Sequence, residues 1–186
     1  MEIKETSLKD VLIIEPTLFK DKRGYFCETF NYKLLNDYIG HFNIMQVNKS
    51  KSKQNVLRGL HFQKPPYNQA KIITVIKGVI LDVIVDIRTD SPTYGQYERF
   101  VLNDKEMLQL YIPRGFAHGF VVLSKTATFQ YIVDNVYTPN YDCGIKYDDE
   151  TLNIDWELNR FIVSDKDKNL ELFKEQEFYS SSEYLL

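Results

Sequence analysis

Two short runs hold most of the side chains able to do chemistry: Arg58-Gly59-Leu60-His61-Phe62-Gln63 and Pro113-Arg114-Gly115-Phe116-Ala117-His118-Gly119-Phe120. Only three histidines occur in the 186 residues, and these runs carry His61 and His118. Neutral imidazole, with a reference pKa of about 6.5, can take or give a proton near neutral pH. A histidine in a strand is also commonly a satisfied structural residue. Residues 56–62 read as such a strand, in which side chains alternate between faces. Arg58 and His61 differ in parity and would face opposite ways, unless Gly59 allows a bulge that brings both toward one pocket. Metal chemistry needs clustered ligands, and no His-x-His pair is present, since Leu60 and Phe62 flank His61.

The rest of the chain must hold these groups in place. A length of 186 residues, with 44% hydrophobic and 26% charged residues, fits one soluble domain over 1–186 with a sizeable core. No apolar run approaches the roughly 20 residues a membrane helix needs, and Met1-Glu2-Ile3-Lys4-Glu5 lacks a signal-peptide core. A cytoplasmic protein without a membrane partner is therefore expected. Cys27 and Cys143 stand alone, which fits a reduced compartment better than a disulfide framework. The net charge of −3 argues against a nucleic-acid partner bound through phosphates.

Strand signals recur between turns. They cover 11–15, 25–30, 41–47, 56–62, 70–87 with a break at Lys77-Gly78, 97–102, 107–112, 119–123 and 126–133. Lys49 to Lys53 reads as a solvated basic loop. One helix is predicted early, capped by Asn31, with Leu34, Leu35, Tyr38 and Ile39 as its apolar stripe and Gly40 at its end. Ser164 caps a second, short one reaching to about Lys174. In 79–87 the acids Asp82 and Asp86 alternate with Ile80 and Ile84, as on the inside of a barrel that holds something polar. This pattern predicts an all-β antiparallel sandwich or barrel. The polar and aromatic segment 175–186 is expected to be a loose tail, or to dock on a neighbouring subunit.

The two opening runs, with Asp82-Val83-Ile84-Val85-Asp86-Ile87-Arg88, Ser91-Pro92-Thr93-Tyr94-Gly95 and Tyr137-Thr138-Pro139, resemble the sugar-nucleotide 3,5-epimerases of the dTDP-4-dehydrorhamnose 3,5-epimerase type. The likeness runs from about Val11 to Asp167. It implies a cupin-type jelly-roll of antiparallel strands with a few short helices, and a homodimer that exchanges strands. It also implies an isomerase that needs no metal or other cofactor and inverts C3 and C5 of a nucleotide-linked 4-keto-6-deoxy sugar.

A proton on carbon beside a ketone leaves only if the enolate is stabilised. An epimerase therefore needs a base on one face of the sugar, an acid on the other and a charge or donor at the ketone oxygen. By the resemblance, His61 is the base, Asp167 the carboxylate that fixes its tautomer, Tyr131 the acid and Lys71 the cation at the substrate. Arg58 and His118 match substrate-binding positions. At the nucleotide end the matches are Arg23, Glu28, Gln46, Asn48, Tyr137, Asp142 and Lys166, with Arg23 and Glu28 acting across the dimer interface. Val47, Asn68, Ala70 and Val136 depart from the family pattern, and Asp142 stands where Glu is common. These departures, read as lying near the ligand, leave open a GDP-linked 6-deoxy-4-keto-heptose as substrate, or inversion at one centre only. A non-catalytic sugar-binding cupin and a 3,4-ketoisomerase are the rival readings.

Overall fold

The computed structural model describes residues 1–185. Thirteen strands follow in chain order: β1 (Glu2–Glu5), β2 (Leu12–Glu15), β3 (Phe19–Asp21), β4 (Gly24–Phe26), β5 (Gln46–Lys53), β6 (Leu57–Gln63), β7 (Lys71–Lys77), β8 (Val79–Asp86), β9 (Tyr97–Asn103), β10 (Gln109–Ile112), β11 (Phe116–Val122), β12 (Thr126–Val133) and β13 (Asp142–Gly144). The helices are short: α1 (Tyr32–Ile39), α2 (Asp165–Lys168) and α3 (Ser181–Tyr184). A six-stranded sheet, β1-β2-β10-β7-β12-β5, packs on a five-stranded sheet, β13-β6-β11-β8-β9. Every ladder in the two is antiparallel, giving the cupin-type jelly roll. The β3–β4 hairpin forms a small sheet of its own.

Side-chain parity decides where each strand residue goes. On β8, Ile80 and Ile84 join Ile73, Phe120 and Phe129 in the core between the sheets. Leu81, Val83, Val85 and Ile87 point to the outer face, where Trp156, Phe173 and Tyr184 of the C-terminal third cover them. Each such side chain contributes about 1.5–3 kcal/mol when fully buried. On the other sheet, Leu35 of α1 and Phe42 cover Ile14, Ile72 and Tyr111. Asn31 caps α1 by accepting from the Leu34 amide (3.1 Å), and Gly40, at φ 68°, ends it as predicted.

Several sequence expectations shift. Residues 25–30 give a strand only to Phe26, paired with β3 as a hairpin. The expected strand at 41–47 begins only at Gln46, and the lysines read as a loop belong to β5, where Lys49, Lys51 and Lys53 alternate outward. Such edge charges block further strand pairing. The helix capped by Ser164 is a single turn, because Asn169 ends it. Asp86 does not face an interior ligand: it accepts from Arg88, Ser91 and Thr93, tying the Ser91–Gly95 turn to the sheet. In the stretch read as a loose tail, Phe178 and Tyr179 pack on the outer core and Tyr184 is buried with them; Leu186 lies outside the described residues.

Candidate active site

A cavity of about 410 Å³ opens between the two sheets. The five-stranded sheet gives it Arg58 and His61 from β6, His118 from β11 and Asp142 from β13. The six-stranded sheet gives Gln46 and Asn48 from β5, Lys71 from β7 and Tyr131 from β12. His61 and Tyr131 thus line one cavity from opposite walls.

Arg58 and His61 share the cavity for the reason Gly59 predicts. The β6–β11 register slips, with His118 opposite His61 but Phe120 opposite Arg58, so β6 carries one residue more than its partner. Gly59, at φ 118°, makes this possible: a Cβ there would sit 2.5 Å from Gly119 Cα and 2.8 Å from the His118 carbonyl oxygen.

His61 Nε2 is 2.7 Å from Asp167 Oδ1. α2 presents this carboxylate after its Ser164 cap, and it is 5% exposed. Burial pushes the Asp167 carboxyl up, but the hydrogen bond and charge of His61, with the Gly59 amide and Ser164, outweigh it and hold the group below its ordinary range. An ionised Asp167 accepts Nε2–H, which leaves Nδ1 of His61 free to take a proton. A second pair is built alike, with His118 Nε2 2.8 Å from Oδ2 of Asp82, which is fully buried.

On the opposite wall burial is the largest influence on both Tyr131 and Lys71. It raises the Tyr131 phenol above its ordinary value, so the phenol stays protonated at neutral pH. It pulls Lys71 down to about 8, although Asp142 and Asp82 pull the other way. A lysine tuned so is a cation near neutrality and a neutral amine above about 8.

Asp142 organises the mouth. It accepts from the Tyr137 hydroxyl (2.9 Å) and from Lys166 Nζ. Gln46 bridges to Asn48 (2.7 Å) and accepts from the Tyr137 amide (3.1 Å). Arg58 Nε donates to Ser52 (3.2 Å). Arg23 and Glu28 are not brought here by their own chain: Arg23 is 84% exposed and pairs with Asp21, while Glu28 accepts from Asn31.

Of the departures from the family pattern, Asp142 lines the cavity, whereas Val47, Asn68, Ala70 and Val136 do not. Val47 has the opposite parity to Gln46 and Asn48, and Asn68 and Ala70 are buried in packing. Cavity residues not singled out include Ser50, Gln69 and Phe129. Parity from Asn48 to Ser50 and from Tyr131 to Phe129 would have found two of them. Nothing in the sequence pairs Asp82 with His118.

Residues 5–175 match the family model described as dTDP-4-dehydrorhamnose 3,5-epimerase. A protein of that name from Shigella flexneri is 42% identical over 180 residues, covering 96% of this chain and 99% of that one. The crystal structure of dTDP-4-dehydrorhamnose 3,5-epimerase from Elizabethkingia anophelis superposes with a TM-score of 0.91 at 45% identity, over 96% of this chain and 99% of the other. The dTDP-6-deoxy-D-glucose-3,5-epimerase of Legionella pneumophila, solved with dTDP-4-keto-L-rhamnose, gives 0.92 at 38%, over 96% and 97%.

Proposed function

Because the chain belongs to the dTDP-4-dehydrorhamnose 3,5-epimerase family, an isomerase family acting on nucleotide-linked 4-keto-6-deoxy sugars, we propose how its own side chains divide that reaction. His61, its Nε2–H held by Asp167, takes the proton from the carbon beside the ketone through Nδ1. Lys71 stabilises the enolate oxygen as a cation, and Tyr131 returns a proton to the opposite face. His61 then passes its proton to solvent and Tyr131 is reprotonated, so each inversion leaves the enzyme unchanged. The observation that carries this division is the cavity itself, with an imidazole–carboxylate pair on one sheet and a protonated phenol on the other.

Arg58 and His118 bind the sugar or diphosphate oxygens. Gln46, Asn48, Tyr137, Asp142 and Lys166 hold the nucleotide, with the Tyr137 ring stacked on the base. Arg23 and Glu28 serve the site of a second subunit in a homodimer. The exposed β3–β4 hairpin supports this, with Phe19, Tyr25 and Phe26 each more than half exposed. The substrate is the dTDP-linked 4-keto-6-deoxyhexose named for the relatives; of the departures that left GDP-heptoses open, only Asp142 lines the cavity, and it keeps the carboxylate of the Glu it replaces.

The test is solvent deuterium wash-in with dTDP- and GDP-linked 4-keto-6-deoxy sugars, the product stereochemistry read by NMR. Label at both C3 and C5 of the dTDP sugar, with inversion, is expected. Turnover of only the GDP-linked heptose would overturn the substrate, and binding without exchange would overturn the chemistry.

A further inference from the structure

Lys71 opens β7 directly after the loop 64–70, and that loop is tied to the far end of the chain. Asn68, 1% exposed, donates its side-chain amide to the Tyr184 carbonyl oxygen. Tyr184 is itself 1% exposed, and its phenol oxygen is buried without a partner. The residue is therefore seated by its ring and backbone. Its ring lies against Gly115, where a Cβ would come within 2.8 Å of Tyr184 Cδ2. Gly115 leads into β11, which carries His118. Tyr184 thus wedges between the segments that deliver Lys71 and His118 to the cavity.

Polar contacts secure the wedge. Ser181 donates from its amide and its hydroxyl to Asp90 Oδ1 (2.7 Å each), and the Thr89 amide donates to the Tyr179 carbonyl oxygen (3.0 Å). The loop is braced on its other side, where Gln69 donates to the Asn135 carbonyl oxygen (2.8 Å) and Asn135 to that of Pro66 (3.0 Å). Removing the Asn68 donor would leave the buried carbonyl of Tyr184 unsatisfied and free the loop on the side facing α3.

From this arrangement we infer that residues 178–185 act as a latch, in which Asn68 and Tyr184 are positioning residues that hold Lys71 in place on the cavity wall. Asn68 is one of the departures from the family pattern, so the latch gives that change a structural purpose. The inference rests on the proposed role of Lys71 in the epimerase reaction.

The test compares wild type, Asn68→Ala, Tyr184→Ala and Tyr184→Phe by amide hydrogen exchange and by the pH dependence of kcat/KM. The charged and titratable groups around Lys71 or sharing its cavity are Asp82 on β8, Asp142 on β13, Tyr131 on β12, Tyr137 beyond it, His118 on β11, and Arg58 and His61 on β6. All remain in every variant. The two alanine variants should lose protection over 66–71 and about tenfold in kcat/KM. Fuller hydration of Lys71 should also move their basic limb upward by about half a pH unit or more. Tyr184→Phe, which removes only the unpartnered hydroxyl, should match wild type throughout. Lower activity with a lower Tm but an unmoved basic limb would make the tail merely structural and overturn the latch, as would unchanged protection over 66–71. An inactive wild type would sink the catalytic assignment alone, and the exchange comparison would still decide the latch.

Discussion

His61 Nε2 and Asp167 Oδ1 lie 2.7 Å apart although 106 residues separate them in sequence. Asp167 sits in the first turn of α2 and is buried, so its charge is directed at the imidazole rather than at water. Asp167→Asn keeps the volume but lets the amide accept or donate, and the ring loses its fixed tautomer. A loss of about 10²–10⁴ in kcat is expected, with little change in KM. Steady-state kinetics alongside a Tm measurement would check this. Activity within a few-fold of wild type would remove Asp167 from the mechanism.

Opposite walls for His61 and Tyr131 predict separable defects. His61→Ala should abolish deuterium exchange at both carbons, because no other group takes the proton. Tyr131→Phe should keep part of the exchange while losing about 10²–10⁴ in product formation. Exchange and product NMR on the same samples separate the steps. Near-wild-type product from both variants would refute the assignment.

How much of this was legible beforehand depends on the physical range of each cue. Gly59 is a local cue, since a residue without Cβ inside a strand marks a bulge, and the β6–β11 register has one. The alternation of Asp82 with Ile80 and Ile84 is local too, and Asp82 does face the interior. Asp86 shares that parity, but Arg88 and the Ser91–Gly95 turn capture it, a partnership parity does not reveal. The Lys49–Lys53 run looked like a loop because its charge is high. The ladder to β12 makes it a strand, and that is a long-range pairing. Neither the Asp82–His118 pair nor the seat of Tyr184 has a signal within a few residues.

Lys71 supplies a pH prediction. Its folded-state pKa is lowered from 10.5 to about 8, mainly by burial. The enolate needs the charged form, which is present below about 8 and lost as pH rises through it. The basic limb of kcat/KM, which reports the free enzyme, should therefore fall near pH 8. In Lys71→Arg the cation persists, so that limb should move above pH 9 or so even if the rate is lower. A limb that stays near 8 in this variant would assign the titration elsewhere.

Gly59 and Gly40 both have positive φ, yet only Gly59 is crowded. Gly40→Ala, at φ 68° and ψ −155°, should cost about 1–3 kcal/mol from backbone strain alone. Gly59→Ala adds a clash with the backbone of His118 and Gly119, which cannot swing aside, and should cost about 3 kcal/mol or more. Denaturant unfolding of the pair tests the difference. Equal destabilisation would mean that the close approach of β6 and β11 does not limit the site.

The β3–β4 hairpin exposes Phe19, Tyr25 and Phe26 together with Arg23, and it is hydrogen-bonded to neither large sheet. If it crosses to a partner, the two halves of one site come from different chains. Arg23→Ala and His61→Ala would then fall in the same site of a mixed dimer and leave the other site untouched. The Arg23→Ala chain keeps His61 and receives an intact hairpin from its partner, so one site in each mixed dimer is whole. Co-refolding inactive preparations of the two variants should restore about a quarter of wild-type activity, since half the dimers are mixed and each has one good site of two. Light scattering should report a dimer, and Phe26→Ser should weaken it. No recovery on mixing, with each variant dimeric, would place the hairpin on its own subunit's site.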